Sequence, residues 1–198
     1  MITNTKKLLE QIRADILEQG ICPDLATKAT NLVMGVGNTN ADVMFIGEAP
    51  GKAEDEQAEP FVGAAGKILN QALIDNDFKR EDVYITNIVK YRPPNNRDPL
   101  PDEKRAFWPF LIREIEAVNP KLIVPLGRHS LGYFLPDYSI SEMHGKTKNV
   151  VIAKETGETE EIAVMPIYHP AATIYNRKLK GDFDKDFAKL KKIIKEIK

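Results

Sequence analysis

The chain has 198 residues, of which 42% are hydrophobic and 29% are charged, and its formal net charge is −1 at pH 7. This size and composition are typical of a soluble α/β domain, and they exclude a polybasic protein, although not a local basic face. No apolar run has the length of a membrane span, the N-terminus lacks the apolar core of a signal peptide, and a single cysteine, Cys22, permits no internal disulfide. We therefore expect a cytoplasmic protein without a membrane contact.

The first part of the chain predicts two helices and a short buried strand. Apolar residues recur at helical spacing from about residue 5 to residue 19, which predicts an amphipathic helix. A connector with a strand near residues 32–34 follows. Residues 43–46 are four consecutive apolar residues, which is typical of a buried strand in a parallel sheet, and a turn rich in Gly and Pro comes next. The next helix is predicted for about residues 66–75.

The rest of the chain alternates between strands and helices. The predicted segments are, in chain order, a strand at 83–89, a cationic loop at 90–97, a helix from Pro101, a strand at 122–127, a hairpin or a single strand within 149–166, and a terminal helix at about 183–197. This alternation predicts an α/β fold, a three-layer α/β/α sandwich around a mainly parallel central sheet of about four strands. We expect residues 1–198 to form one domain.

Polar side chains follow three of the predicted strands. Glu48, Asn87 and His169 come at or just after the carboxyl ends of these strands, and Phe61 follows the first of them. Each residue alone has a structural explanation, as a turn residue or an exposed polar group. Because the carboxyl ends of parallel strands meet at one edge of the sheet, we expect the side chains to converge. An acid, an amide, an imidazole and an aromatic ring together favour a pocket for a flat, hydrogen-bonding ring.

Six ordered segments resemble the uracil-DNA glycosylase superfamily, and most of all its family-four group, whose members typically hold an iron–sulphur cluster. The segments are residues 47–51, 54–55, 60–66, 84–97, 120–127 and 168–172. The similarity covers the chain from about residue 20 to its end. It implies a DNA glycosylase that flips uracil out of DNA and hydrolyses the N-glycosidic bond, with uracil-containing DNA as its partner.

The resemblance also implies roles for the residues that contact the base. Phe61 would stack on the extruded uracil, and Asn87 would donate to O4 and accept from N3–H. Cytosine presents the opposite pattern, so a fixed amide would leave polar groups unpaired and reject it. His169 would donate a hydrogen bond to O2 while negative charge builds on the departing ring.

On the sugar side, the resemblance implies Glu48 together with the backbone of Gly47 and Ala49. The carboxylate of Glu48 would orient water or stabilise the cationic sugar. Some branches of the superfamily place a catalytic Asp or Asn where this chain has Ala49. Water activation would therefore fall to Glu48, or the enzyme would rely on electrostatic stabilisation alone.

Two clusters are candidates for DNA contacts, the cationic loop and the segment after His169. The residues expected to hold phosphates or to enter the duplex are Lys90, Arg92, Arg97, Ala171, Tyr175, Asn176, Arg177 and Lys178. The alternative for each cluster is a solvated surface. Relatives often carry Arg where this chain has Tyr175, and an aromatic wedge would support the opened base stack in its place.

The cluster ligands mark a departure from the resembled group. Cys22 is the only cysteine, whereas Tyr91 stands at the third ligand position and Phe107 at the fourth. A cubane cluster needs about four ligands, and neither aromatic residue supplies a thiolate. We expect no metal and no other cofactor, with Tyr91 and Phe107 filling the vacated volume beside Leu25.

Two alternatives to a glycosylase remain open at this point. The first is a module that binds damaged DNA with weak or no catalysis in the same pocket. The second is a hydrolase of free nucleosides or nucleotides, against which the basic loops argue weakly. For the glycosylase, the resemblance implies a monomer.

Overall fold

The computed structural model describes residues 4–154 and 156–197, and in them a mixed six-stranded sheet lies between two layers of helices. The strands are β1 (Val36–Gly37), β2 (Val43–Gly47), β3 (Tyr84–Asn87), β4 (Leu122–Pro125), β5 (Lys148–Ala153) and β6 (Thr159–Val164). The helices are α1 (Asn4–Glu18), α2 (Pro23–Ala26), α3 (Lys52–Gln57), α4 (Ala64–Asp75), α5 (Pro101–Val118), α6 (Arg128–Phe134), α7 (Ile140–Met143), α8 (Ala172–Tyr175) and α9 (Arg177–Ile197).

The strand order across the sheet is β1-β3-β2-β4-β6-β5. The four central strands are parallel and are the four that the apolar runs predict. The sheet has six strands rather than about four because an antiparallel strand is added at each edge. One of them is the two-residue β1, which lies at 36–37 instead of near 32–34, and the other is β5, which completes the hairpin with β6.

The alternation of side chains along β2 explains the three layers. Met44 and Ile46 belong to the hydrophobic core on the side of α1 and α5, whereas Val43 and Phe45 belong to the core on the side of α4 and α9. All four are almost completely buried, as expected for a strand covered on both faces. The predicted three-layer α/β/α architecture is confirmed.

The carboxyl ends of the parallel strands meet at one edge of the sheet. Gly47 at the end of β2 lies directly opposite Asn87 at the end of β3. Beyond β4 and β6, a parallel bridge between Leu126 and Ile167 extends the pairing and brings His169 to the same edge. Within residues 4–154 and 156–197, every helix is too short or too polar to cross a lipid bilayer.

Candidate active site

A cavity of about 430 Å³ lies at this edge of the sheet. Its walls include Glu48, Phe61, Asn87 and His169, which are far apart in the sequence. Ala49 and Ala171 also line it. The structure therefore brings together the four side chains for which the sequence predicts a common pocket.

Gly47 allows three parts of the pocket to approach one another. A Cβ atom at this position would lie 2.3 Å from Oδ1 of Asn87 and 2.6 Å from the ring of Phe61. No side chain fits there without moving the amide or the aromatic ring. Backbone hydrogen bonds from Ile88 to the carbonyl of Gly47 and from Val89 to that of Glu48 continue the pairing and fix the turn.

The loop that carries Phe61 has an unusual backbone conformation. Phe61 has φ 53°, a left-handed conformation that a bulky side chain rarely adopts. The carboxylate of Glu54 accepts hydrogen bonds from the backbone N–H of Val62 at 3.0 Å and of Gly63 at 2.8 Å. Gly66 is needed as well, because a Cβ atom there would lie 1.8 Å from the carbonyl oxygen of Phe61. These contacts hold the aromatic ring over the cavity.

His169 is a neutral imidazole with a defined tautomer. Its burial lowers the pKa of the ring to about 4, and His129 contributes in the same direction. The backbone N–H of Ala171 donates to Nδ1 at 3.2 Å, so the ring proton is on Nε2. Gly127 permits this placement, since a Cβ atom there would lie 2.8 Å from Cβ of His169. His169 can therefore act as a hydrogen-bond donor through Nε2.

Glu48 is a partly desolvated carboxyl group. Burial raises its pKa to about 7, against the opposing effect of the nearby Lys104 ammonium group. Oε1 lies 3.5 Å from Nζ of Lys104 and 3.3 Å from Nδ1 of His129. Even so, among the described residues Oε1 has no well-aligned hydrogen-bond partner. Oε1 is thus available to accept a hydrogen bond, and the carboxyl group ionises near neutral pH.

Lys90 corrects one prediction from the sequence. It was expected to face DNA phosphates, but its side chain is fully buried and forms an ion pair with Glu114 of α5. Nζ also donates to Oγ1 of Thr86 and to the carbonyl oxygen of Asn87, each at 2.7 Å. An ammonium group enclosed in this way cannot reach DNA. Its hydrogen bonds to Thr86 and Asn87 stabilise the end of β3.

The other predicted DNA-contacting residues lie around the cavity mouth or at the start of α9. Arg92 donates to Asn96, and Arg97 forms a two-bond ion pair with Glu103 that leaves its side chain 37% exposed. The side-chain oxygen of Asn176 caps α9 by accepting from the backbone N–H of Lys178 at 3.0 Å. The remaining members of the set are exposed Arg177 and Lys178, the cavity-lining Ala171, and Tyr175, whose side chain lies outside the described part of the structure.

The region of the cluster ligands is filled by side chains. Tyr91 and Phe107 are buried in edge-to-face contact, with ring centroids 5.9 Å apart, in the same hydrophobic core as Leu25. Sγ of Cys22 lies 3.8 Å from the carbonyl oxygen of Glu103, and burial raises the pKa of this thiol to about 11. One protonated thiol beside two packed rings does not fit an iron–sulphur cluster.

Three residues of the site were missed in the sequence. Glu54 lay in an apparently acidic loop, but its cap on residues 62–63 requires a specific turn that composition does not reveal. Gly127 followed a predicted strand, and a glycine at a strand end is a usable signal for close packing. His129, on the first turn of α6, gave no signal because its partner Glu48 is distant in sequence.

The comparisons agree with this geometry. Residues 34–198 match the family model described as the uracil DNA glycosylase superfamily. The chain is 43% identical to a Type-4 uracil-DNA glycosylase of Archaeoglobus fulgidus, over 92% of this chain and 91% of that protein. A protein of the same name from Sulfurisphaera tokodaii is 44% identical over 93% of this chain and 84% of its own length, and one from Thermotoga maritima is 37% identical over 96% and 97%. The chain therefore belongs to the uracil DNA glycosylase superfamily.

Proposed function

We propose that the protein is a DNA glycosylase that removes uracil from DNA by hydrolysing the N-glycosidic bond, a step of base excision repair. The observation that carries the proposal is the convergence of Glu48, Phe61, Asn87 and His169 on one cavity. Relatives named for this activity match nearly the whole chain, which supports the same reaction here.

Asn87 and Phe61 are the proposed base-reading residues. The amide of Asn87 donates to O4 of uracil and accepts from N3–H, and the ring of Phe61 stacks on the face of the base. With cytosine in the pocket, both hydrogen bonds would be lost and buried polar groups would remain unpaired, which is costly. The packing of Asn87 and Phe61 against Gly47 supports this role, since it holds the amide and the ring in fixed positions.

His169 is the proposed electrophilic catalyst. As the bond between N1 of uracil and C1′ of the sugar breaks, its electron pair stays with the base, and negative charge develops on O2. The Nε2–H of His169 donates to this oxygen. A preorganised donor of this kind is worth roughly 3–4 kcal/mol in the transition state. A neutral imidazole suits the role, because at physiological pH it already carries the Nε2–H group that donates to O2.

Glu48 is proposed to act on the sugar, with the backbone of Gly47 and Ala49 beside it. Its carboxylate stabilises the positive charge that develops on the ring and orients the water that adds to C1′. The water contributes hydroxide to the sugar, and its proton is taken up by the carboxylate or by solvent. Ala49 carries no acid or amide, so we assign this role to Glu48, one of the carboxyl groups that line the cavity.

The uracil must leave the duplex before it can enter the cavity, at a cost of a few kcal/mol. We propose that Arg92, Arg97, Arg177 and Lys178 hold phosphates and so offset this cost. Ala171, Asn176 and Tyr175 lie in the segment that would approach the opened base pair. Lys90 has no part in DNA binding because it is buried.

We also propose that the enzyme works as a monomeric single domain without a cofactor. Both helical layers pack on one sheet, which supports a single folded unit. The Tyr91–Phe107 contact supports the absence of a cluster. A DNA substrate is consistent with a cytoplasmic enzyme.

The test is an excision assay on an oligonucleotide with one uracil, followed by alkali. Strand scission at the uracil, and none with a thymine oligonucleotide of the same sequence, is the expected result. Binding without scission would indicate a damage-binding module instead. Release of uracil from free nucleosides, with DNA left intact, would indicate a small-molecule hydrolase.

A further inference from the structure

His129 lies between two carboxylates at the edge of the active site. Nδ1 is 3.3 Å from Oε1 of Glu48, and Nε2 is 3.1 Å from Oδ2 of Asp98. The imidazole is 28% exposed, so it connects the buried acid to an exposed one. A second cavity, of about 410 Å³, is lined by His129 together with Glu48 and His169. The ring thus lies beside the carboxyl group of Glu48 in the second cavity.

The position of His129 is fixed by its neighbour along the chain. The hydroxyl group of Ser130 is buried and donates to the carbonyl oxygen of Ile46 at 2.6 Å. Ile46 lies on β2, and Glu48 follows directly after the end of that strand. The start of α6 is therefore tied to the strand that leads into Glu48, which keeps His129 beside the carboxyl group.

Arg128 favours the tautomer of His129 that carries its proton on Nδ1. Its Nε donates to Nε2 of His129 at 3.0 Å, and a neutral ring that accepts this hydrogen bond carries its proton on Nδ1, facing Glu48. If the ring gains a proton, Nε2–H donates to Asp98 instead and Nδ1–H is unchanged. In both states an N–H group faces Oε1 of Glu48. Hydrogen bonds of catalytic groups are often loose without substrate and tighten in the complex, which fits the imperfect alignment observed.

We propose that His129 is a positioning residue for Glu48, donating a hydrogen bond from Nδ1 that favours ionisation of the carboxyl group and orients it toward the sugar. This inference rests on the proposed function, in which the ionised carboxylate is the active form. A hydrogen bond to the charged form favours ionisation, and here it opposes the desolvation of Glu48.

The other charged groups around the pair are consistent with this role. Lys104 of α5 approaches Glu48, and Arg128 lies 3.7 Å from Asp98. Tyr133 of α6 is near Glu48, and His169 is near His129. Two fixed cations already balance the two carboxylates, so the trio of Glu48, Asp98 and His129 is better suited to hydrogen bonding than to a divalent cation.

The experiment is the pH dependence of single-turnover uracil excision in wild type, His129→Leu and the control His144→Asn. His144 pairs with Asp186 and stacks on Tyr168 without lining either cavity, and Asn retains a donor. Loss of the Nδ1 donor is expected to move the acid limb of the rate profile up by about one pH unit, which is about a fivefold loss at pH 7 that disappears near pH 9. The control should keep the wild-type profile.

Three results would overturn the proposal. One is an unchanged acid limb in His129→Leu, and another is a loss of equal size at pH 7 and pH 9, which indicates a structural defect. The third is a further loss when His129→Leu is added to Glu48→Gln, since a residue that acts through Glu48 has no effect once the carboxylate is gone.

Carbon-13 NMR titration of Glu48 in wild type and His129→Leu measures the shift in the pKa of Glu48 without turnover. An enzyme that excises no uracil but shows that shift contradicts the proposed function and leaves this inference supported.

Discussion

Nδ1 of His169 accepts a hydrogen bond from the backbone N–H of Ala171, two residues further along the chain, at 3.2 Å. The partner is a backbone group, so the tautomer does not depend on the protonation of another side chain. Burial keeps the ring neutral by lowering its pKa to about 4. The proposed donor to uracil is therefore ready before the substrate arrives, and it needs no proton transfer to become active.

The first prediction concerns this donor. Replacing His169 by Ala should slow single-turnover excision by roughly 10²–10³-fold, the usual effect of losing one such donor. Affinity for uracil-containing DNA should change much less, because the donor acts mainly on charge that develops in the transition state. Quenched-flow excision and fluorescence anisotropy measure the two quantities. A rate within a few-fold of wild type would remove His169 from the mechanism.

The second prediction concerns base selection. Replacing Asn87 by Asp removes the donor to O4 of uracil, while a carboxylate accepts from the amino group of cytosine. The ratio of kcat/KM for uracil over cytosine should fall by roughly 100-fold or more. Oligonucleotides that differ only in the target base measure the ratio, and an unchanged ratio would contradict the assigned contact.

The third prediction concerns the hydrogen bonds that Glu54 of α3 accepts from the loop that carries Phe61. Glu54→Gln weakens the cap on the loop of Phe61 and should slow excision by roughly 10–100-fold through misplacement of the stacking ring. The matched control is Glu56→Gln on the same helix, whose exposed side chain pairs only loosely with Lys52. Equal rates for the two variants would show that the loop holds Phe61 without its cap.

The fourth prediction follows from the ionisation of Glu48. Its pKa is raised from 4.5 to about 7 in the folded protein, so the folded state favours the protonated form. Stability linked to this group is complete below pH 4.5 and is lost as pH rises through 7. Because Gln does not ionise, Glu48→Gln should be more stable than wild type at pH 8, by about 1–2 kcal/mol after solvent screening, but not at pH 4. Urea unfolding at both values measures the difference, and a gain of equal size at both would refute the linkage.

The fifth prediction concerns the aromatic pair at the cluster position. Phe107→Ala should lower the free energy of unfolding by roughly 3–5 kcal/mol, because it opens a cavity in a packed core. The control is Tyr138→Ala at a partly exposed site, where a much smaller loss is expected. Iron analysis of anaerobically purified wild type should give a substoichiometric value. Stoichiometric iron, or a negligible effect of Phe107→Ala, would contradict the proposed packing.

The central strands and the site were predictable from the sequence for a physical reason. Residues 43–46 and 122–124 are continuous apolar runs, and such runs occur where a strand is covered on both faces. Once these strands are parallel, Asn87 and His169 must follow carboxyl ends at the same edge of the sheet. The convergence of the site thus depends on topology, which short sequence patterns reveal well.

The features that were missed depend on contacts between distant residues. Lys90 stands in a run of basic residues and prolines that is typical of an exposed loop. It is nevertheless buried, because it forms an ion pair with Glu114, 24 residues later. His129 has a partner still further away in the sequence, Glu48. No local pattern encodes such pairs, since each is created by the packing of α5 or α6 against the sheet.

The edge-to-face contact of Tyr91 and Phe107 has a consequence for how the protein matures. On the proposed packing, this part of the core is completed by carbon rings that the ribosome itself supplies. The chain then needs no iron or sulphide delivery to reach its working form, and exposure to oxygen removes nothing from it.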